Sequence, residues 1–259
     1  MSTSKLPSIT SRLYSVWFRH VLVYSRNLIS NGLPPFLEPL IFLAGVGIGL
    51  GKYIMDMDGI PYLQFLASGL LVTSAMYTAS FECTFGTFIR LEYDRAYDGM
   101  LAAPITANDL IIGEILWAGT KGFFFSFAVL VIVTAFGVIP LSFSILAPFV
   151  GFLTGIMFAA MSLFVTSFVQ NINHFNFYMT GFLSPMFFFS GVVFPISSLP
   201  RFLQPAAEIM PLSHVVRLAR SLCLGRFKES LLLDLLYCIV VTLIFGYFGL
   251  RRLKKRLIQ

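Results

Sequence analysis

RLEYDRAYD, Arg90 to Asp98, is the charged break in a chain that otherwise runs as about six apolar stretches of bilayer-crossing length. They lie near 34–53, 62–82, 110–136, 142–168, 175–194 and 231–250, so the break falls between the second and the third. Crossing a hydrocarbon core of roughly 30 Å takes about 20 helical residues, at about 1.5 Å each. Hydrophobic residues fill 57% of the 259 positions, 12% are charged, and the mean hydropathy is +0.84, more apolar surface than a soluble chain of this size can bury. The runs are continuously apolar and too long for tilted strands, which argues against a closed β-barrel. The expected fold is an all-α integral membrane protein of six transmembrane helices, with residues 1–259 forming one membrane domain.

The formal charge is +6, but the bases are not gathered on one soluble surface. Membrane lipid is therefore the expected partner, and no nucleic acid. Cys83, Cys223 and Cys238 are scattered and odd in number, so they define neither a disulfide framework nor a CxxC site. No basic start is followed by a short apolar run and a small-residue cleavage site, so the mature chain is expected to begin close to Met1.

With an even number of spans both termini share a side. That side holds Lys5, Arg12, Arg19, Arg26, Arg90, Arg95 and the run RRLKKR at 251–256. Lys52, Arg201, Arg217, Arg220, Arg226 and Lys228 fall on the other. The positive-inside bias then puts both termini in the cytoplasm. Arg12, Arg19 and Arg26 also recur every seven residues, on one face of a helix otherwise covered by residues such as Val16, Trp17, Phe18 and Leu22. Residues 8–31 thus read as an amphipathic helix in the membrane interface, since arginines at mid-bilayer cost at least ~3 kcal/mol each. Pro34 and Pro35 fit the first turn of the first span, although Pro39 disturbs it. Gly45, Gly47, Gly49 and Gly51 offer overlapping GxxxG spacings, a candidate packing face.

Within the break, Glu92, Asp94, Arg95 and Asp98 need water or protein partners, whereas Tyr93, Tyr97, Met100 and Leu101 supply an apolar face. A short amphipathic helix ending before Pro104 fits, and so does a solvated loop of charge pairs. The connection 195–230 is broken by Pro195, Pro200, Pro205 and Pro211 into apolar pieces too short to span, which can re-enter or line the outer face. Charged residues inside spans should face protein, a cavity or the interface. Glu114 and Lys121 share a face of the third span about 10 Å apart, and Glu82, late in the second, is an interhelical partner for Lys121. Such a pair can hold spans two and three together or touch cargo. Tyr178, Thr180 and Ser184 are polar pathway candidates, and Phe123, Phe124, Phe125, Phe127, Phe187, Phe188 and Phe189 can line a greasy path or simply meet lipid.

Catalytic signatures are absent from the sequence. His20, His174 and His214 stand far apart without a second ligand at metal spacing, there is no GxSxG elbow, and GVGIGLGK fails the Walker spacing. No catalytic, cofactor or metal residues are expected on this chain.

The ordered set EPLIFLAGVGIGLG, DGIPYLQFLASGLLVTSAM, IRLEYDRAYDGMLAAPITANDLIIGEILWAGTKG, FFFSGVVFPISSLP and MPLSHVVRLAR resembles an ABC-2 type transporter permease over nearly the whole chain. It is particularly similar to the NodJ-type branch, the membrane partners of NodI-type ATPases in nodulation-factor export. The resemblance implies that residues 90–104 form a coupling helix, with Arg90, Glu92, Tyr93, Asp94, Arg95, Tyr97 and Asp98 facing the ATPase. It implies an external re-entrant segment carrying Pro195, Pro200, Pro211 and Arg217, and an amino-terminal interfacial helix over 8–31. It further implies a permease homodimer in the bacterial inner membrane with two copies of a separate ABC ATPase, which holds the ATP and Mg. The implied cargo is an amphipathic molecule such as a lipo-oligosaccharide or lipid-linked glycan. Drug or antibiotic efflux fits the same pattern. A lipid-modifying enzyme using Glu82 or Glu114, and a gradient-driven transporter, are the readings from other classes.

Overall fold

The computed structural model describes residues 6–27, 33, 37, 40–49, 53–54, 56–227 and 229–258. Apart from an isolated bridge between Met57 and Ile60, every regular element among them is helical. Pro34, Pro35, Pro39, Gly51, Lys5, Lys52 and Lys228 lie outside the described residues, as does the 28–31 end of the expected interfacial helix.

Helix α1 (Ile9–Ser25) starts where the Ser8 hydroxyl accepts from the Ser11 amide. Residues 40–49 of the expected first span are helical, with π-helical turns over Leu43–Ile48. α2 (Tyr62–Phe81) follows Pro61 and is almost wholly buried. Its Ser68, Thr73 and Ser74 hydroxyls donate to carbonyls of the preceding turn, which lets polar residues sit inside an apolar bundle. Beyond α2 the helix continues through π-helical turns at Glu82–Gly86 and Ile89–Tyr93. The chain breaks at Arg95, a non-glycine residue held at φ 46°, and resumes as the short α3 (Ala96–Leu101).

α4 (Ala107–Ala135) opens on a capping box in which Thr106 and Asp109 satisfy each other's backbone amides. A 3₁₀ turn leads into α5 (Ala147–Thr166). Next comes a helical run of α6 (Phe175–Tyr178), a π-helical turn (Met179–Leu183) and α7 (Ser184–Phe189). α8 (Gln204–Ile209), α9 (Pro211–Leu224) and α10 (Leu231–Ile258) complete the chain. Gly225, at φ 65°, ends α9 in the left-handed conformation that favours glycine.

Among the described residues, three helices are long and apolar enough to cross a membrane: Ala107–Ala135, Phe143–Thr166 and Leu231–Leu257. α5 is the central one, packed by α2, α4, α9 and α10. α10 lies at the periphery, with only 17% of its most apolar stretch buried.

The seam between α4 and α5 is built from glycines. A Cβ on Gly122 would stand 2.6 Å from the Gly151 carbonyl, and one on Gly155 would stand 2.8 Å from the Ala118 carbonyl. Backbones approach this closely only where side chains are missing. The small-residue face expected at residues 45–51 is mixed: a Cβ on Gly47 would stand 2.5 Å from Leu63, whereas one on Gly45 or Gly49 meets nothing within 4 Å among the described residues.

Two boundaries differ from the sequence expectation. Residues 90–104 are not one helix, because Arg90 to Tyr93 extend the second helical run and the left-handed Arg95 separates them from α3. The stretch expected as a fifth span, 175–194, is helical only over Phe175–Phe189, about 22 Å at 1.5 Å per residue. It ends at Ser190 and Gly191, the latter at φ 77°. In the proline-broken connection, α9 forms a substantial helix that packs its Leu212, Val215, Val216 and Ala219 side against α2, α5 and α10.

Candidate functional site

α1 is docked along α4 in parallel register. Arg12 pairs with Asp109 at 3.0 Å, and a Cβ on Gly113 would meet Val16 Cγ1 at 2.4 Å. His20 stacks on Trp117, and Lys121 Nζ lies 5.0 Å over the Tyr24 ring. Trp17 Nε1 donates to Thr120 Oγ1 at 3.0 Å. Tyr14, Phe18, Leu22 and Val23 stay exposed on the other side of α1, an apolar face suited to lipid.

This docking carries His20 into a buried ionic network with the end of α2, α3 and α4. Arg90 Nη1 donates to Glu82 Oε1 and Nη2 to Glu114 Oε2, each at 2.7 Å. Tyr97 accepts from Arg90 Nε at 3.3 Å and donates to Glu114 Oε1 at 2.8 Å. Lys121 Nζ donates to Glu82 Oε2 at 2.8 Å, and His20 Nε2 lies 3.0 Å from Glu114 Oε1. The π-helical turns matter here: their wider winding re-phases the helix so that Arg90 folds back onto Glu82, eight positions earlier. Their cost is a displaced ladder, and Thr166 of α5 donates to the Cys83 carbonyl at 2.7 Å.

The two carboxylates thus meet one guanidinium and one ammonium, with the His20 ring at their edge. His20, Glu82 and Glu114 bring ligand atoms within 4.8 Å of one another, a spacing a metal ion could use. Each of the four carboxylate oxygens, however, already accepts from Arg90, Lys121 or Tyr97, so the donor set does not fit a metal. Chemically the arrangement is a clamp. Removing one member strands a buried charge, which typically costs ~3–5 kcal/mol.

The residues of the charged break divide in two. Arg90 and Tyr97 are inside the clamp, and Glu92 pairs with Arg256 of α10 at 2.7 Å. Tyr93, Asp94, Arg95 and Asp98 are exposed around the turn. His20 and Arg256 escaped the sequence reading. Their partners lie 94 and 164 positions away, and no local pattern signals contacts of that range.

The pathway candidates do not share a face. Tyr178 is buried with its hydroxyl 3.2 Å from Ser162, Thr180 is exposed, and Ser184 donates back to the Met179 carbonyl. Phe125 and Phe187 are buried, whereas Phe124, Phe127, Phe188 and Phe189 are exposed.

A second polar cluster closes the other end of α10. Arg217 makes a bidentate contact with Asp234 and reaches Glu208 at 2.6 Å, while His214 Nδ1 lies 2.7 Å from Asp234. Tyr237 stacks on His214 and donates to the Ile209 carbonyl. Pro211 sits in the first turn of α9, Pro195 caps the 3₁₀ turn Ile196–Ser198, and Pro200 begins the turn that leads to α8. Nearby, Arg220 spans from α9 to α2, donating to Ser68, the Phe65 carbonyl and the Gly191 carbonyl. Asp234 and Arg256 are about 33 Å apart along the helix, close to the bilayer core thickness of ~30 Å.

Charged clusters at both ends of apolar, lipid-length helices, with a clamped polar turn at one of them, define a helical membrane domain. The chain belongs to the ABC-2 type transporter family, whose model matches residues 11–224. Nodulation protein J of Sinorhizobium fredii is 34% identical over 254 residues, 98% of this chain and 97% of that protein. Nodulation protein J of Rhizobium leguminosarum bv. trifolii is 36% identical over 86% of each chain. The inner membrane transport permease YadH of Escherichia coli is 22% identical over 79% of each. The protein is thus a membrane permease of a transport system.

Proposed function

We propose that this chain is the transmembrane permease subunit of an ATP-driven exporter that moves an amphipathic cargo outward across the bacterial cytoplasmic membrane. The observation that carries the reading is the clamp of Glu82, Arg90, Tyr97 and Glu114, which fixes the turn that exposes Tyr93, Asp94, Arg95 and Asp98 to α2 and α4. A force applied to that turn moves those helices together, because separating any one of them leaves a buried charge without its partner.

In this reading two copies of the chain form a homodimer, each beside one copy of a separate ABC ATPase that binds ATP and Mg. Six spans with both termini cytoplasmic place the turn on the ATPase side and the Arg217–Asp234 cluster outside. Closure of the ATPases pushes Tyr93, Asp94, Arg95 and Asp98 and shifts the balance between two permease arrangements. The nodulation protein relatives and the broad aromatic surface support a lipo-oligosaccharide or lipid-linked glycan as cargo.

The test is uptake of labelled lipo-oligosaccharide into inside-out vesicles carrying the permease and its ATPase. Uptake that requires MgATP and disappears in Y93A/D94A/R95A supports the proposal. Uptake driven by a proton gradient without ATP refutes it, and transport of drugs but not glycans moves the cargo assignment to efflux.

A further inference from the structure

Ser167, Phe168, Gln170, Arg252, Lys255 and Arg256 surround a cavity of ≈ 460 Å³ between the end of α5 and the last turns of α10. None of the six is acidic. Arg256 is already engaged, donating to the Thr166 and Val169 carbonyls and to Glu92. Arg252 lies over the Phe168 ring with Cζ 3.7 Å from its centroid, which orients the guanidinium without neutralising it. Lys255 has no hydrogen bond or ion pair among the described residues. Among the described residues neither Arg252 nor Lys255 has an acidic partner, and both line the one cavity.

An apolar surface lies along the same helix. α10 leaves Leu243, Ile244, Tyr247 and Phe248 exposed, and contacting rings of Phe245, Phe164 and Phe168 lead from that helix to Arg252. Cations at the end of a bilayer-length helix, joined to an exposed aromatic and aliphatic face, match a molecule with a phosphate at one end and acyl chains at the other.

We propose that this cavity binds the phosphate of an anionic glycerophospholipid, whose acyl chains lie along α10. A free anion satisfies the cations but leaves the apolar face without a use. The inference needs α10 to cross the bilayer and is independent of what the permease transports or what drives it. Since Arg256 lines the cavity and holds Glu92, the lipid sits directly behind the clamped turn.

Native mass spectrometry of the purified full-length chain in detergent tests this, with phosphatidylglycerol compared with phosphatidylcholine. The wild type is expected to retain phosphatidylglycerol preferentially, and R252Q/K255Q to lose that preference by about fivefold or more. R251Q/K254Q removes the same charge from neighbouring exposed positions outside the cavity and is expected to keep it. Equal loss in both double variants, or none in R252Q/K255Q, overturns the site. Displacement of bound lipid by low-millimolar inorganic phosphate also overturns it, assigning the cavity to a free anion. Should R252Q/K255Q prove unstable, K255Q alone breaks no described contact and must still weaken retention.

Discussion

Arg90 and Glu114 are joined at 2.7 Å across two helical elements, within a cluster that also holds Glu82 and Tyr97. Glu114 is 1% exposed, and its other oxygen accepts from Tyr97. The balance of the clamp therefore depends on all its members. Glu114→Ala is expected to destabilise the protein by ~3–5 kcal/mol, because it leaves Arg90 buried beside a single carboxylate. Thermal unfolding of the purified permease checks the direction, and Arg90→Ala should show a loss of similar size.

The exposed turn should behave in the opposite way. Y93A/D94A/R95A removes side chains that make no ion pair among the described residues, so stability should change by only about 0.5 kcal/mol per position. Coupled ATPase activity and transport should nevertheless fall. A triple variant that unfolds early but still couples would reverse the assignment of roles between clamp and turn.

Glu92 and Arg256 link the turn to α10 at 2.7 Å, with Glu92 partly in water. Glu92→Gln should cost no more than ~1 kcal/mol. If α10 follows the turn during transport, cross-linking yield between E92C and R256C should stay the same on addition of MgATP to the assembled complex, and a fall in yield would show that the two separate.

The α4–α5 seam makes a purely steric prediction. Gly122→Leu or Gly155→Leu forces a side chain against backbone and should prevent stable folding or lower the melting temperature sharply. Gly45→Ala and Gly49→Ala have open space among the described residues and should be tolerated by an isolated subunit. Loss of dimerisation in either of the latter would identify that face as an intersubunit contact.

At the far cluster, Asp234 is 3% exposed and accepts from Arg217 while facing His214. Asp234→Ala should destabilise the packing of α9 on α10 by ~3 kcal/mol or more, and Arg217→Ala by less, since Arg217 is partly solvated. Limited proteolysis within 195–230 is the direct measurement.

Composition and the length of apolar runs were sufficient to establish a helical membrane protein, because burying that many apolar residues without lipid is impossible for a chain of this size. The charged stretch at 90–98 was also legible, since ionic side chains stand out wherever the surroundings are apolar. Glu82 and Lys121 were legible as opposite charges within adjoining spans, and the structure joins them at 2.8 Å.

What sequence left open were matters of phase and partner. When lipid and protein interior are equally apolar, hydrophobic periodicity no longer tells which face of a helix is buried, so the Gly122–Gly155 seam went unread while the GxxxG spacing drew attention to the exposed Gly45 and Gly49. The π-helical turns that re-phase Arg90, and the left-handed Arg95 that splits the break, have no compositional mark. His20 at Glu114 and Arg256 at Glu92 depend on helices far apart in sequence lying side by side. The sequence by itself determined which residues must avoid lipid. Beyond the Glu82–Lys121 pair, only the tertiary structure decided which opposite charge each one meets, because the energy of a buried charge is set by neighbours within a few ångströms and the chain order does not record them.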